Sequence, residues 1–375
     1  MVKSQEKFKD LKVALVHDFL DTYGGAERVL EVMSGIFPQA PIYTLIYDKE
    51  KMRGKFESRE IHTSFLQKFP KFLKKRKKYL LPFMAAAPET FDLRDFDLVI
   101  SSSGAWSKGI VTRLNTKHIC YMHSPMRFVW DYNEKYLQEI GGRMGVYKRM
   151  FLSYLRIWDF QAAQRPDILV ANSSYTRERI NKYYRRDAQV IFPTVLNKDN
   201  GAQIEIKDKD YFLVVSRLSA YKKVDLVVEA FNKIGLPLVI IGEGEEAIKL
   251  KKIAKDNIKI LGWQDDATVQ TYYKNARAFI FPAVDDFGLT MIEAMNQGVP
   301  VIAIGKGGAK EIVKEGITGE LFEAQTIEVL ADGIRRFMEK EKTYDKEIIK
   351  QEGEKFSQDK FKKELLALIN EELMK

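Results

Sequence analysis

Two doubly wound α/β domains facing each other across a cleft are predicted by three observations. Strand-like apolar runs alternate with helix-like spacing along most of the chain. The alternation restarts after a polar stretch near the middle. And 375 residues with 45% hydrophobic side chains suffice for two cores of ordinary size. The first half opens with the strand-length run Leu11-Lys-Val-Ala-Leu-Val-His17, a loop broken by Gly24-Gly25, and helical spacing from Ala26 to Phe37. Further strands are predicted at Leu98 to Ser101, His118 to Met122 and Ile168 to Ala171. Each ends in small or polar residues, as at the ligand edge of a parallel sheet. From Leu196 to Asp210 the composition turns to Asn, Lys, Asp and Gly, which places an interdomain linker there and gives domains 1–196 and 197–354. The second series runs through strand Tyr211 to Ser216, helix Val224 to Lys233, strand Leu236 to Ile241 and a helix from about Glu245. It continues with strand Ile258 to Leu261, a helix around Ala267 to Asn275, and strands Ala278 to Phe281 and Val299 to Ile304. The tail from Lys355 to Lys375 reads as one amphipathic helix with Phe361, Leu365, Leu368 and Ile369 inward. Periodicity does not choose its domain, and the first is the expected one.

Composition narrows the function classes. No apolar run approaches a membrane span and the opening residues lack a signal-peptide core, so a cytoplasmic location is expected. The lone Cys120 sits between Ile119 and Tyr121 as core filler and leaves no internal disulfide. His17, His62, His118 and His123 show no metal-ligand spacing, and no bound metal is expected. Asp95-Phe-Asp97 has the Asp-x-Asp form used by metal-dependent transferases. It precedes its strand, at the wrong edge for that role, and reads as turn chemistry.

The most informative segment is Phe281-Pro-Ala-Val-Asp-Asp-Phe-Gly-Leu-Thr-Met-Ile-Glu-Ala-Met-Asn-Gln-Gly298. A buried strand, a loop with two carboxylates, a glycine and a helix start make a phosphate site, because free N–H groups and the positive helix end favour an anion. Carboxylates beside a phosphate are repelled unless they hold something neutral, and sugar hydroxyls fit. Asp285 and Glu293 therefore point to a nucleotide sugar. Arg217 and Lys222, five residues apart after the first strand of the second series, can neutralise its diphosphate.

These motifs make the second domain resemble that of the retaining glycosyltransferases of family 4, which have the GT-B fold. The family's Glu-x7-Glu signature with Phe-Gly inside matches Asp285 to Glu293, with aspartate at the first position, and its Arg-Leu-x-x-x-Lys pair falls on Arg217 and Lys222. In the first domain, Val13-Ala-Leu-Val-His-Asp-Phe with Gly24-Gly-Ala-Glu-Arg28 resembles the family's opening strand and glycine loop. Tyr121-Met-His-Ser-Pro-Met-Arg-Phe-Val-Trp-Asp131 resembles a segment of its bacterial polysaccharide mannosyltransferase-like members. The resemblance weakens between about Asp48 and Phe96. It implies that Glu293 binds ribose hydroxyls, and that Gly25 and the backbone of Gly288, Leu289 and Thr290 meet the donor. Asp285 and His123 would contact the transferred sugar, and Arg217 and Lys222 the diphosphate. Asp18, Arg127, Trp130 and Asp131 are candidates either for acceptor contact or for bracing a loop. No cofactor is implied beyond the GDP- or UDP-linked substrate, with GDP-mannose favoured by the His123 segment.

Much of the net +9 charge lies in Lys68-Phe-Pro-Lys-Phe-Leu-Lys-Lys-Arg-Lys-Lys-Tyr-Leu-Leu-Pro-Phe-Met84. Aromatics interleaved with Lys71, Lys74, Lys75, Arg76, Lys77 and Lys78 suit an anionic membrane surface, where each cation contributes about 1 kcal/mol. A peripheral position on the inner face of the cell membrane would deliver a lipid-linked or glycan acceptor. An exposed helix packed on its own domain is the plainer alternative, and nucleic acid is not expected as a partner. Two other classes stand beside the transferase: a non-catalytic nucleotide-sugar-binding protein, and an oxidoreductase using Gly242-Glu-Gly244. The second is disfavoured by Glu243, Glu245 and Glu246 where a pyrophosphate would sit.

Overall fold

The computed structural model describes residues 11–131, 145–195, 206 and 210–374, the Lys75 side chain excepted. Most of the stretch assigned to the linker lies outside the described residues. Contacts divide the chain into one unit of Met1–Phe192 with Lys362–Lys375 and a second of Pro193–Phe361.

In the first unit, β1 (Val13–Leu20), β2 (Ile42–Tyr47), β3 (Ile61–Thr63), β4 (Leu98–Ser103), β5 (Lys117–Met122), β6 (Ile168–Ala171) and β7 (Gln189–Val190) form a parallel sheet ordered β3-β2-β1-β4-β5-β6-β7. Val13, Ala14, Leu15 and Val16 are all buried, which is why β1 reads as a continuous apolar run and not an alternating one. Helix α1 (Gly25–Ile36) turns Val29, Leu30, Val32, Met33 and Ile36 inward, and its first turn is closed by Glu27 Oε2 accepting from the Gly24 N–H at 2.8 Å. Helices α2 (Gly145–Ala162) and α3 (Ser174–Tyr184) complete the unit, Ser173 capping α3 through the Thr176 N–H. The basic stretch is not one helix. Pro70 and Pro82 each open a new turn, giving short helical pieces at Lys71–Lys75, Lys77–Tyr79 and Leu81–Met84.

His118 of β5 is wholly buried against Ser101 Oγ at 2.8 Å, and burial, helped by the charges of Arg186 and Arg165, pushes its imidazole down to about 3. An unfolded histidine takes up a proton near pH 6.5, whereas this one stays neutral to about pH 3, so its stabilisation is complete above pH 6.5 and drains away as pH falls toward 3. The first unit is expected to lose about 2 kcal/mol of unfolding free energy from this residue between pH 7 and 5. Urea unfolding of the protein and of His118→Gln at both pH values checks it, the variant lacking that share of the loss.

The second unit has β8 (Phe212–Val215), α4 (Val224–Ile234), β9 (Leu238–Ile241), α5 (Ala247–Ile253), β10 (Ile258–Gly262), α6 (Asp266–Asn275), β11 (Ala278–Phe281), α7 (Leu289–Asn296), β12 (Val301–Ile304), β13 (Gly319–Phe322), α8 (Ile327–Lys340), α9 (Lys346–Glu354) and α10 (Gln358–Leu373). The strands are parallel and ordered β10-β9-β8-β11-β12-β13. The terminal helix starts at Gln358 and not at Lys355, because Ser357 stops α9's continuation and caps the new helix through the Lys360 N–H at 3.4 Å. Its residues from Lys362 onward belong to the first unit, where Glu372 lies 4.0 Å from Lys117. In each sheet the strand order reverses at one junction, β1/β4 in the first and β8/β11 in the second, and the loops leaving those strands hold the functional candidates.

Candidate active site

In the second unit the chain leaves β11 at Phe281 and reaches α7 through Gly288, whose φ of +109° lies in a region that residues with side chains rarely adopt. A Cβ there would lie 2.5 Å from Met291 Cε. This turn sets the direction of α7. Among the described residues the Leu289 and Thr290 N–H groups take no hydrogen bond, while Met291 N–H is spent on Gly288 O at 3.0 Å. Two open donors at the positive helix end have the chemistry to receive an anion. The glycine-rich loop Gly305-Lys-Gly-Gly308 lies behind the carboxylate loop: Gly308 N–H donates to Asp285 O at 3.0 Å, and a Cβ on Gly307 would be 2.3 Å from that oxygen.

Lys222 ends the short turn after β8, and its Nζ pairs with Asp285 Oδ2. Burial works against the lysine's charge, but Asp285 beside it more than compensates and holds its pKa above the ordinary value. Lys222 also lies 5.0 Å from the Tyr221 ring centre. Arg217 is exposed on the same loop. Glu293 is buried one turn into α7, where Tyr273 OH donates to its Oε2 at 3.1 Å. The sequence reading gave Lys222 to phosphate and Asp285 to sugar; the structure joins them in one ion pair. Gly242 and Gly244 have a packing role: a Cβ on either would fall 1.9 Å from Ser216 O or 2.1 Å from Leu218 O, so they let β9's loop lie against the backbone carrying Arg217.

The first unit gathers a different set. His17, opposite Ser102 in the β1–β4 register, places Nδ1 3.0 Å from Ser102 Oγ and Nε2 3.3 Å from Glu27 Oε1. The same hydroxyl lies 2.7 Å from His123 Nε2. Burial pushes the His123 imidazole down to about 4. Gly25 opens α1 beside this group. His17, Ser102 and Glu27 escaped the sequence reading because the pairing of His17 with Ser102 joins strands 85 residues apart; a histidine within the apolar run of β1 was the local sign of them.

Among the residues left between acceptor and loop, Asp18 accepts from four backbone N–H groups, those of Gly104, Ala105, Trp106 and Ser107, at 2.6 to 2.9 Å. Asp131 pairs with Arg179 at 2.6 Å, and Trp130 donates from Nε1 to Asp159 Oδ2 at 2.8 Å while stacking on Tyr183. These contacts brace loops. Arg127 is half-buried on the same loop. Asp95 and Asp97 stand at the start of β4, where Asp97 Oδ2 accepts from Lys12 N–H, at the opposite strand end from Ser102.

The model of the group 1 glycosyl transferases matches residues 197–355, and that of glycosyltransferase family 4 matches residues 23–195, so that together they span nearly the whole chain. The chain belongs to the family 4 glycosyltransferases. This family 4 member is 30% identical over 169 residues to the N-acetyl-alpha-D-glucosaminyl L-malate synthase of Bacillus anthracis, covering 42% of this chain and 41% of that one. It is 27% identical over 202 residues to the GDP-mannose-dependent alpha-(1-6)-phosphatidylinositol monomannoside mannosyltransferase of Mycobacterium tuberculosis, covering 46% and 52%. The match thus spans about half, or less, of the length of these relatives. Among solved structures, Anabaena HepE in complex with UDP-glucose superposes on the family 4 member with a TM-score of 0.70 at 16% identity, covering 96% of this chain and all of that one, which shows a shared GT-B fold.

Proposed function

We propose that the protein is a retaining hexosyltransferase that moves a hexose, mannose favoured, from a nucleotide-diphosphate sugar to a hydroxyl of a glycan or lipid-linked acceptor. The observation that carries this is the Lys222–Asp285 pair beside the open first turn of α7. On donor binding Lys222 exchanges Asp285 for the diphosphate, and Asp285 is released to the hydroxyls of the sugar. The Leu289 and Thr290 N–H groups and Arg217 take further phosphate charge, Glu293 takes the ribose, and His123 contacts the transferred sugar. The acceptor oxygen bonds to the anomeric carbon from the side on which the bond to phosphate breaks, and a phosphate oxygen takes the acceptor's proton. The protein's share is positioning and charge neutralisation, with the two cations and the helix end in the place of a metal. The mycobacterial relative is named for GDP-mannose and the Anabaena neighbour holds UDP-glucose; the first, with the His-Ser-Pro-Met-Arg segment, favours mannose. Incubation with GDP-mannose, UDP-glucose and other common donors tests the reading. Transfer, or slow donor hydrolysis with the donor's anomeric configuration kept, is expected; turnover of none, or inversion, overturns it.

The acceptor is proposed to lie at an anionic membrane. Phe72, Tyr79 and Phe83 are exposed, and α2 presents Val146, Tyr147, Met150, Tyr154 and Ile157 on its outer face while Leu152 and Leu155 share an inner core with Leu80 and Met84. Among the described residues no helix is long and apolar enough to cross a membrane. Two of the cations are engaged within the unit: Lys77 pairs with Asp21 at 2.8 Å, and Lys74 donates to Gln67 O at 2.9 Å. The Lys75 side chain lies outside the described part. Lys71, Arg76 and Lys78 remain exposed. Replacing those three with glutamine is expected to weaken binding to anionic vesicles about a hundredfold, at about 1 kcal/mol per cation, with donor hydrolysis in solution unchanged. Vesicle flotation checks it, and undiminished binding would remove the membrane role of this stretch.

A further inference from the structure

The chain Glu27–His17–Ser102–His123 has a direction that its members fix in turn. Glu27 Oε2 accepts from the Gly24 N–H, and its Oε1 faces His17 Nε2. Burial raises the carboxyl's pKa, but the hydrogen bond from His17 together with the backbone donors outweighs it and keeps the group below its ordinary value, hence ionised at neutral pH. An ionised carboxylate only accepts, so His17 carries its proton on Nε2. A His17 that holds this one proton has a bare Nδ1, which accepts the single hydrogen of Ser102 Oγ. The serine oxygen can then only accept from His123, whose proton must sit on Nε2. His123 Nδ1 is left bare, with no hydrogen-bond partner among the described residues. The backbone holds the ring in place from both sides: His123 N–H donates to Ser103 O at 2.8 Å and its carbonyl accepts from Asn172 Nδ2 at 2.9 Å.

We infer that Glu27, His17 and Ser102 are positioning residues that lock His123 as the Nε2–H tautomer, so that it offers a hydroxyl of its ligand an acceptor nitrogen and not a donor. This rests on the reading of His123 as a contact of the transferred sugar. A hydroxyl that donates to Nδ1 keeps its own oxygen free to accept from elsewhere. A sugar carrying hydrogen or a methyl ether at that position leaves the nitrogen without a partner and is disfavoured.

Long-range 15N–1H spectra of the full chain labelled at histidine, recorded at pH 8, read the tautomer of each ring directly, with His123 assigned through His123→Asn. A single Nε2–H form for His123, with Nδ1 unprotonated, is expected. Ser102→Ala should leave a mixture of tautomers and lower kcat about fivefold, one neutral hydrogen bond's worth, and Ser102→Thr should restore both. An Nδ1–H form or a mixture in the unaltered protein overturns the inference, as does a Ser102→Ala protein whose His123 stays wholly Nε2–H. If the tautomer is as inferred but GDP-mannose and UDP-glucose leave the His123 Nδ1 shift unmoved, the positioning chain stands and the sugar contact of His123 falls.

Discussion

Lys222→Ala is expected to weaken binding of a nucleoside diphosphate ten- to a hundredfold and to leave binding of the free nucleoside nearly unchanged. The magnitude follows from removing a hydrogen bond between charged groups, about 1.5 to 3 kcal/mol. Its selectivity follows from position, since Lys222 lies on the β8 loop beside Asp285 and the open turn of α7, whereas Glu293 is one turn further into the helix. The ion pair also predicts an opposite sign for its other half. Asp285→Asn removes the carboxylate that competes for Lys222 and repels phosphate, so nucleoside diphosphate should bind more tightly while turnover of the whole sugar nucleotide falls. Calorimetric titration of both variants with nucleoside and nucleoside diphosphate measures this, and equal losses for the two ligands in Lys222→Ala would contradict a phosphate role.

Asp159→Ala should destabilise the first unit by about 3 to 5 kcal/mol. Lys108 and Asp159 are both fully buried and lie 2.5 Å apart, with the other carboxylate oxygen accepting from Tyr184 OH at 2.7 Å and Trp130 Nε1 at 2.8 Å. Removing the carboxylate leaves an ammonium in the core together with two unpaired donors, the costly way to break such a pair. For a unit of this size that corresponds to a fall in its melting temperature on the order of 10 °C. The double variant Lys108→Met, Asp159→Leu removes both charges and should recover much of the loss, which scanning calorimetry of the three proteins would show. A double variant as unstable as the single one would mean that the hydrogen bonds to Trp130 and Tyr184, and not the charge, set the stability.

The alternation of periods told most of the second unit, because its strands are buried on both faces and its helices have clean apolar stripes. It told less of the first. Strand β3 is only half-buried and three residues long, β7 has two residues, and both owe their existence to a neighbour in the sheet. The donor-side residues were legible because Gly288 and its flanking carboxylates are close in sequence and their chemistry is local. His17, Ser102 and Glu27 were not, since a histidine in an apolar run and a serine in a run of serines acquire meaning only once β1 and β4 pair. Lys108 was concealed for the opposite reason. Ser107-Lys-Gly109 has the composition of a surface turn, and only the packing of α2 over it makes it core.

The terminal helix has a consequence for the synthesis of the protein. The first unit ends its opening run at Phe192 but is completed only by Lys362 and the residues after it, among them the buried Leu365, Leu368 and Ile369. At roughly 5 to 20 residues per second, a ribosome takes on the order of 10 to 40 seconds to make the intervening second unit. Throughout that interval the nascent first unit lacks these side chains and bares the apolar surface they will cover.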